Sequence, residues 1–316
     1  MEISLAPIQS YTHAFYRYAH SRTFSSFDRY YTPFFEDDKK RGWKPVLMPE
    51  LDIKLNDGIT VIPQIATNEP EFLIRSAERF AEMGFGEINL NMGCPFPMLV
   101  KRSKGAGLLQ VPEVVEDILN SFFRKTDGIE LSVKMRLGID EADEWKSIIP
   151  ILNNYPVAEV IVHPRSAKQK YGGDVNWDEF ERLTEQCNLP VTGNGDINSR
   201  QDYNSRQKRF PHITSWMIGR GALTNPFLSG ELKGISYSQQ ERKELFLKFH
   251  DTFLNIVKQY FPEWNHAFNY MRSFWHYPLQ NVENGQRHYK KLKKYLSEAE
   301  YQAWSVKLLN GEYLFR

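Results

Sequence analysis

Cys94 stands in the run Asn89-Leu90-Asn91-Met92-Gly93-Cys94-Pro95 and is one of two cysteines in 316 residues. It sits between glycine and proline where an apolar strand gives out, and both neighbours favour a bend. The bend pushes the sulfur towards whatever the strand's end faces, and asparagines at i, i+2 point the same way. A thiol delivered like this can act as a nucleophile or as an acid that gives a proton to carbon. Nucleophilic hydrolysis would want a dedicated His/Asn pair, which nothing nearby supplies. A free thiol titrating at about 8.5 is mostly protonated at neutral pH, which suits proton donation across a substrate from a flavin ring. The bland alternative is a small buried residue.

Lys134, in Ser132-Val133-Lys134-Met135-Arg136-Leu137-Gly138, is a charge inside an apolar strand. It is either a lysine snorkelling from a rim or an inward ammonium that stabilises an anion, such as the N1 side of a reduced flavin ring. His163 follows Val160-Ile161-Val162 and could hydrogen-bond the same ring or its ribityl chain, and Gln64 could meet a ring carbonyl and nitrogen. Two later strands end in Gly193-Asn194-Gly195-Asp196-Ile197 and Ile218-Gly219-Arg220-Gly221-Ala222. Glycines there let backbone N–H groups approach an anion, and Arg220 adds a charged fork.

Positioning these groups requires a repeating frame. Short β-rich runs recur at Ile3–Pro7, Tyr31–Phe35, Val61–Ile65, Glu87–Asn91, Leu131–Arg136, Glu159–His163, Pro190–Asn194 and Ser215–Gly219, with helical material between. Several are apolar on both faces, as buried parallel strands are. Eight such units predict an α/β fold, a (β/α)8 TIM barrel, whose strand C-termini share one mouth. The loops after strands seven and eight are the usual phosphate site of that barrel. Lys44–Asp57 reads as a hairpin extension. After about Pro226 the β signal stops, and Gln239–Tyr260, Asn265–Trp275, Gln286–Tyr295 and Glu298–Leu309 read as helices. The expected division is a catalytic barrel over 1–230 and a small helical domain over 231–316.

Charge is uneven: 13 basic against 9 acidic residues from Glu231 onward, and 27 against 30 before it. A basic tail on a mildly acidic body points to a polyanionic partner or to a solvated helical face. No run of about 18 apolar residues predicts a membrane span, and the first residues lack the pattern of a signal peptide. No CxxC or HExxH pattern predicts a metal site, and two cysteines fit a reduced cytoplasmic protein.

The ordered set resembles the tRNA-dihydrouridine synthase family. It runs from Leu5-Ala6-Pro7 through Asn91-Met92-Gly93-Cys94-Pro95, Gly105-Ala106-Gly107-Leu108-Leu109, Val133-Lys134-Met135-Arg136-Leu137-Gly138, His163-Pro164-Arg165 and Tyr171 to the two glycine clusters. The resemblance covers the whole barrel, and the tail resembles the family's helical RNA-binding domain. It implies an FMN enzyme that reduces the C5–C6 bond of uridines in tRNA with NADPH as reductant. Hydride would pass from the flavin to C6, and Cys94 would protonate C5. Asn91 would hold the uracil. Pro7, Gln64, Lys134 and His163 would hold the flavin, and Asn194, Gly195, Asp196, Gly219 and Arg220 its ribityl phosphate.

Arg136, Arg165 and Tyr171 are candidates on the substrate side, and a base inside folded tRNA must be flipped out to reach such a pocket. Lys101, Arg102 and Lys104 precede a glycine turn and suit a phosphate backbone near the base, on a segment that reads as a mobile lid. Arg272, Arg287, Lys290 and Lys291, with Lys293 and Lys294, interleave with Trp275, His276, Tyr277 and Tyr289, a mix that suits RNA or a packed small core. Two motifs depart from the family: Pro7-Ile8 replaces Pro-Met, and His163-Pro164-Arg165-Ser166 replaces His-Gly-Arg-Thr. Thr32–Leu55 matches poorly. A monomer on tRNA is expected. The competing readings are an FMN-dependent reductase of a free pyrimidine or enone, and a non-catalytic RNA-binding module on the same barrel.

Overall fold

The computed structural model describes residues 1–24, 26–36 and 45–311. Its strands are β1 (Glu2–Leu5), β2 (Arg29–Tyr31), β3 (Phe35–Glu36), β4 (Val61–Ile62), β5 (Gln64–Ala66), β6 (Glu87–Met92), β7 (Glu130–Gly138), β8 (Val160–Ser166), β9 (Val191–Asn194) and β10 (Ser215–Ile218). Every pairing is parallel, in the order β3-β5-β6-β7-β8-β9-β10-β1-β2-β4. The ten pieces make eight staves. Proline has no N–H for a ladder, so Pro33 lies in the gap between β2 and β3, and Pro63 separates β4 from β5. Because β2 pairs with β4 and β3 with β5, the ring closes. The fold is a TIM barrel, with the second and third predicted strands each in two pieces.

Helices cover the outside because their apolar stripes face the staves. Pro70–Glu82 buries Phe72, Leu73, Ile74, Ala77 and Phe80, and Pro112–Lys125 buries Val115, Ile118, Leu119 and Phe122. Proline opens both, at a position whose missing N–H costs nothing. The expected hairpin over Lys44–Asp57 does not form in the described part. Pro45–Leu51 is a 3-10 helix and Ile53–Asn56 a helical turn capped by Asp52; Lys44 lies outside the described residues.

Among the described residues beyond the last strand only helices follow, the longer ones being Gln239–Tyr260, Trp264–His276, Gly285–Leu292 and Glu298–Leu309. Ser238 with Glu241 and Ser297 with Glu300 form capping boxes that fix two of the starts. The tail rests on the helix Ala14–Phe24. Phe15 meets Tyr260, Phe261 and Tyr270 at ring separations of 5.1, 5.9 and 5.3 Å. Trp275 is fully buried and its indole N–H donates to Tyr301 Oη at 2.8 Å, so this aromatic is core and not a surface for RNA. Among the described residues no helix is long and apolar enough to cross a membrane.

Candidate active site

Seven of the eight staves send residues to one open cleft at the C-terminal mouth, where the active sites of this fold are built. Pro7 follows β1. Asn91 comes from β6 and Cys94 from the turn after it, Lys134 and Arg136 from β7, His163 from β8, Asn194 from β9 and Gly195 and Asp196 from just beyond it. Gly219 and Arg220 follow β10, and Tyr171 hangs over from the loop after β8. Register explains much of this. Asn91 lies opposite Lys134 and Arg136 opposite His163, so inward side chains from neighbouring strands end at one level.

Cys94 is held by its own strand. Asn91 Oδ1 accepts from the backbone N–H of Gly93 at 3.0 Å and of Cys94 at 2.9 Å, while Asn91 Nδ2 donates to Gln64 Oε1 at 2.7 Å. Gln64 in turn donates to Asn89 Oδ1 at 2.7 Å and does not line the cleft; it braces the asparagine pair from below. From the far side, Ala106 N–H donates to Cys94 O at 3.0 Å. Gly105 makes that approach possible: its φ is +58°, and a Cβ there would stand 2.8 Å from Cys94 O.

Burial pushes the Cys94 thiol up, outweighing the Phe96 backbone N–H and the nearby charges of Arg136 and Lys134. The thiol is therefore protonated at neutral pH. Burial likewise pushes Lys134 down to about 7, with Arg136 adding to the drop. Among the described residues no hydrogen-bond or ion-pair partner meets the Lys134 ammonium. Burial lowers Arg136 to about 10 and keeps His163 well below its ordinary range, helped by Arg136, Lys134, Arg165 and Arg220. His163 is thus neutral in a cationic pocket.

Arg136 Nε donates to Gly93 O and its Nη1 to Ser166 O, both at 2.9 Å. Arg165, 1% exposed, is not in the cleft wall. It donates to Gly173 O at 2.7 Å, to Asp196 Oδ2 at 2.5 Å, and stands 3.1 Å from His163 Nε2. Burial would raise the Asp196 carboxyl, but Arg165 and Arg220 hold it below the usual range. Arg220 donates to Asp196 Oδ1 at 2.7 Å and to Tyr171 O at 3.3 Å. The guanidinium groups of Arg136 and Arg220 stand 5.7 and 4.9 Å from the ring centre of half-exposed Tyr171. Asn194 spends its amide N–H on Met217 O at 2.8 Å.

Lys101 and Arg102 are exposed and Lys104 is buried. The segment expected as a mobile lid forms the helix Pro97–Val100 and a following turn, with Lys104 N–H on Leu99 O at 3.0 Å. Arg287, Lys290 and Lys291 are exposed on Gly285–Leu292, and Arg272 is half-buried on Trp264–His276 beside Asn269.

Sequence reading missed the aromatic path that joins them to the mouth. Tyr11 packs on Tyr277 at 4.9 Å and His276 at 5.3 Å, and His276 on Tyr289 at 4.9 Å. Tyr277 is pushed up to about 12 by burial, with Tyr11 and Tyr171 adding to it. Tyr11, Pro33, Phe34 and Asn198 carry no local signal; only the closed barrel and the docked tail bring them here.

A closed parallel barrel with a cationic mouth, a protonated thiol and a docked helical tail defines a TIM-barrel protein with a cationic cleft. The chain belongs to the dihydrouridine synthase (Dus) family, whose model matches residues 4–312. It is 31% identical over 219 residues to a probable tRNA-dihydrouridine synthase of Staphylococcus aureus (strain Mu50 / ATCC 700699), covering 68% of this chain and 64% of that one. A probable tRNA-dihydrouridine synthase 2 of Bacillus subtilis (strain 168) is 30% identical over 201 residues, 61% of each chain. The matched stretches thus span about two thirds of the relatives' length or slightly less. The fold is shared with histamine dehydrogenase from Rhizobium sp. 4-9, at TM-score 0.58 and 12% identity over 74% of this chain and 45% of that one. It is also shared with a morphinone reductase in complex with tetrahydroNAD, at TM-score 0.51 and 9% identity over 73% and 86%.

Proposed function

We propose that this protein reduces specific uridines of tRNA to dihydrouridine with FMN and NADPH. Residues 1–230 carry the chemistry and 231–316 dock the RNA; the protein works as a cytoplasmic monomer on tRNA. The observation that carries the reading is a protonated thiol and an unpartnered ammonium on adjacent strands of one cleft.

The lining fits a flat anionic cofactor. Lys134, Arg136 and Arg220 supply positive charge, and Ala6, Ile8, Met217 and Ile218 supply apolar surface. Lys134 would stand against the anionic edge of the ring, with neutral His163 beside it as a hydrogen-bond partner. Arg220 and the turns at Gly195 and Gly219 would take the phosphate, with Asp196 holding the Arg220 fork in place. A bound flavin supplies a hydride to C6 of the base, and NADPH restores it.

Cys94 gives its proton to C5, so that the base gains one hydride and one proton across the double bond. The thiolate left behind lies among Arg136 and Lys134, which favour it, and takes a proton back from water. Asn91 sets the thiol's position through two backbone N–H groups, and its remaining amide N–H is available to a base carbonyl. Arg136 and Tyr171 flank the entrance for the flipped base. Arg165 acts through Asp196 and His163 and not on substrate.

Purified protein is expected to carry yellow flavin and to form dihydrouridine in unmodified bulk tRNA with NADPH. Cys94→Ala should keep the flavin and lose roughly 100-fold or more in rate, the scale of general acid catalysis. An unchanged rate in that variant removes the thiol from the mechanism. Flavin-free protein refutes the whole reading. NADPH oxidation indifferent to RNA points instead to a reductase of free pyrimidines.

A further inference from the structure

Phe96 and Met98 are large apolar side chains left 55% and 58% exposed. They follow Cys94 and Pro95 in sequence, and those two residues line the cleft. We propose that these two side chains form an apolar wedge that stacks on the nucleotides next to the reacting uridine and fills the gap it leaves when flipped out. The inference rests on the reading of the cleft as a uridine site and assigns the contact that holds the duplex or loop open around it.

Rigidity supports a wedge. Prolines at 95 and 97 bracket Phe96 and restrict its backbone. Phe96 O accepts from the N–H groups of Leu99 at 2.9 Å and Val100 at 3.1 Å, and the Phe96 N–H is aimed at the Cys94 thiol. The turn behind is tied down by Ser103 N–H on Val100 O at 2.9 Å and Ala106 N–H on Cys94 O at 3.0 Å. A side chain presented on so fixed a turn loses little entropy on contact.

Charge complementarity supports nucleic acid as the occupant. Exposed Lys101 and Arg102 follow one helical turn on, and exposed Lys168 and Lys170 lie on the loop that carries Tyr171. Apolar groups flanked by cations, beside a pocket for one base, match a surface that inserts between stacked bases while phosphates pass on either side. A second protein or a second copy would be the alternative occupant, and a test on RNA separates them.

Unmodified bulk tRNA is incubated with NADPH and the holoenzyme form of either wild type, a Phe96→Ala/Met98→Ala double variant, or a Phe96→Tyr/Met98→Leu control. The double variant is expected to lose roughly five- to hundredfold in kcat/KM for dihydrouridine, the range one base stack is worth. Its flavin content and its NADPH-dependent reduction of oxygen should be unchanged, and the control should recover most of the loss. In a second arm, p-benzoylphenylalanine in place of Phe96 is expected to crosslink to a nucleotide adjoining the modified uridine. A double variant within twofold of wild type, or a crosslink only to distant nucleotides or to protein, overturns the wedge. A wild type that makes no dihydrouridine overturns the underlying reading, a separate result.

Discussion

Lys134, proposed above to meet the flavin, should destabilise the protein while the cleft holds no anion. Burial moves its titration from an ordinary 10.5 down to about 7, so between these values the unfolded chain binds a proton that the folded one has lost. Stability therefore rises with pH through that window, and at pH 7 and below the penalty is complete. At 1.36 kcal/mol per pH unit it is at most about 5 kcal/mol, and with relaxation of the site about 2–5 kcal/mol. Lys134→Met keeps the stem's volume and removes the charge. At roughly 2.1 cal/mol/K per residue, a chain of this length gains about 1.5 °C per kcal/mol, so the apoprotein variant should melt about 3–7 °C higher near pH 7. The advantage should shrink towards zero as pH approaches 10. FMN should reverse the order, because an anion beside the ammonium restores its charge; flavin affinity should fall in the variant. Thermal melts of apoprotein from pH 6.5 to 9.5, with and without FMN, test both halves. A variant that melts lower at pH 7, or a gain that does not vary with pH, would falsify the assignment of an unpaired buried ammonium.

Gly105→Ala forces a side chain into left-handed backbone and against Cys94 O, so a loss of about 1–3 kcal/mol is expected. Because the clash moves the thiol, the rate of dihydrouridine formation should fall further than stability does, by roughly 100-fold for a displacement near 1 Å; equal losses in melting and rate would argue against that coupling. At the opposite end of the barrel, Glu87 is raised to about 7 by burial, above an ordinary 4.5, although Arg29 stands 3.5 Å away. Its folded form binds the extra proton between these values, so its contribution to stability is present below pH 4.5 and is lost as pH rises through 7. Glu87→Gln should flatten the decline of melting temperature from pH 5 to 7, and an unchanged slope would remove Glu87 as its source.

The frame, and which side chains meet at its mouth, were legible where local pattern and tertiary placement coincide. Short apolar strands ending in polar groups predicted the barrel and its mouth, because parallel staves deliver their C-terminal residues to one place. Cys94 could be singled out because glycine and proline mark the bend that exposes it. The breaks at Pro33 and Pro63 followed the same chemistry, yet reading them as one strand each missed that the halves pair separately. What stayed hidden depends on partners distant in sequence. Gln64 at a strand end looked like a ligand for the ring, but the register Gln64↔Asn89 gives its amide to Asn89 and Asn91. Arg165 looked free for substrate until Asp196, 31 residues on, came to meet it. Helical spacing could not say which face of Trp275 is covered; the Tyr301 hydroxyl decides that. The same limit conceals the mouth's link to the tail, since Tyr11, Tyr277 and Tyr289 become neighbours only after the helices dock on the barrel. Sequence thus places in the cleft the groups that a strand end aims, and misses the contacts by which one side chain holds another.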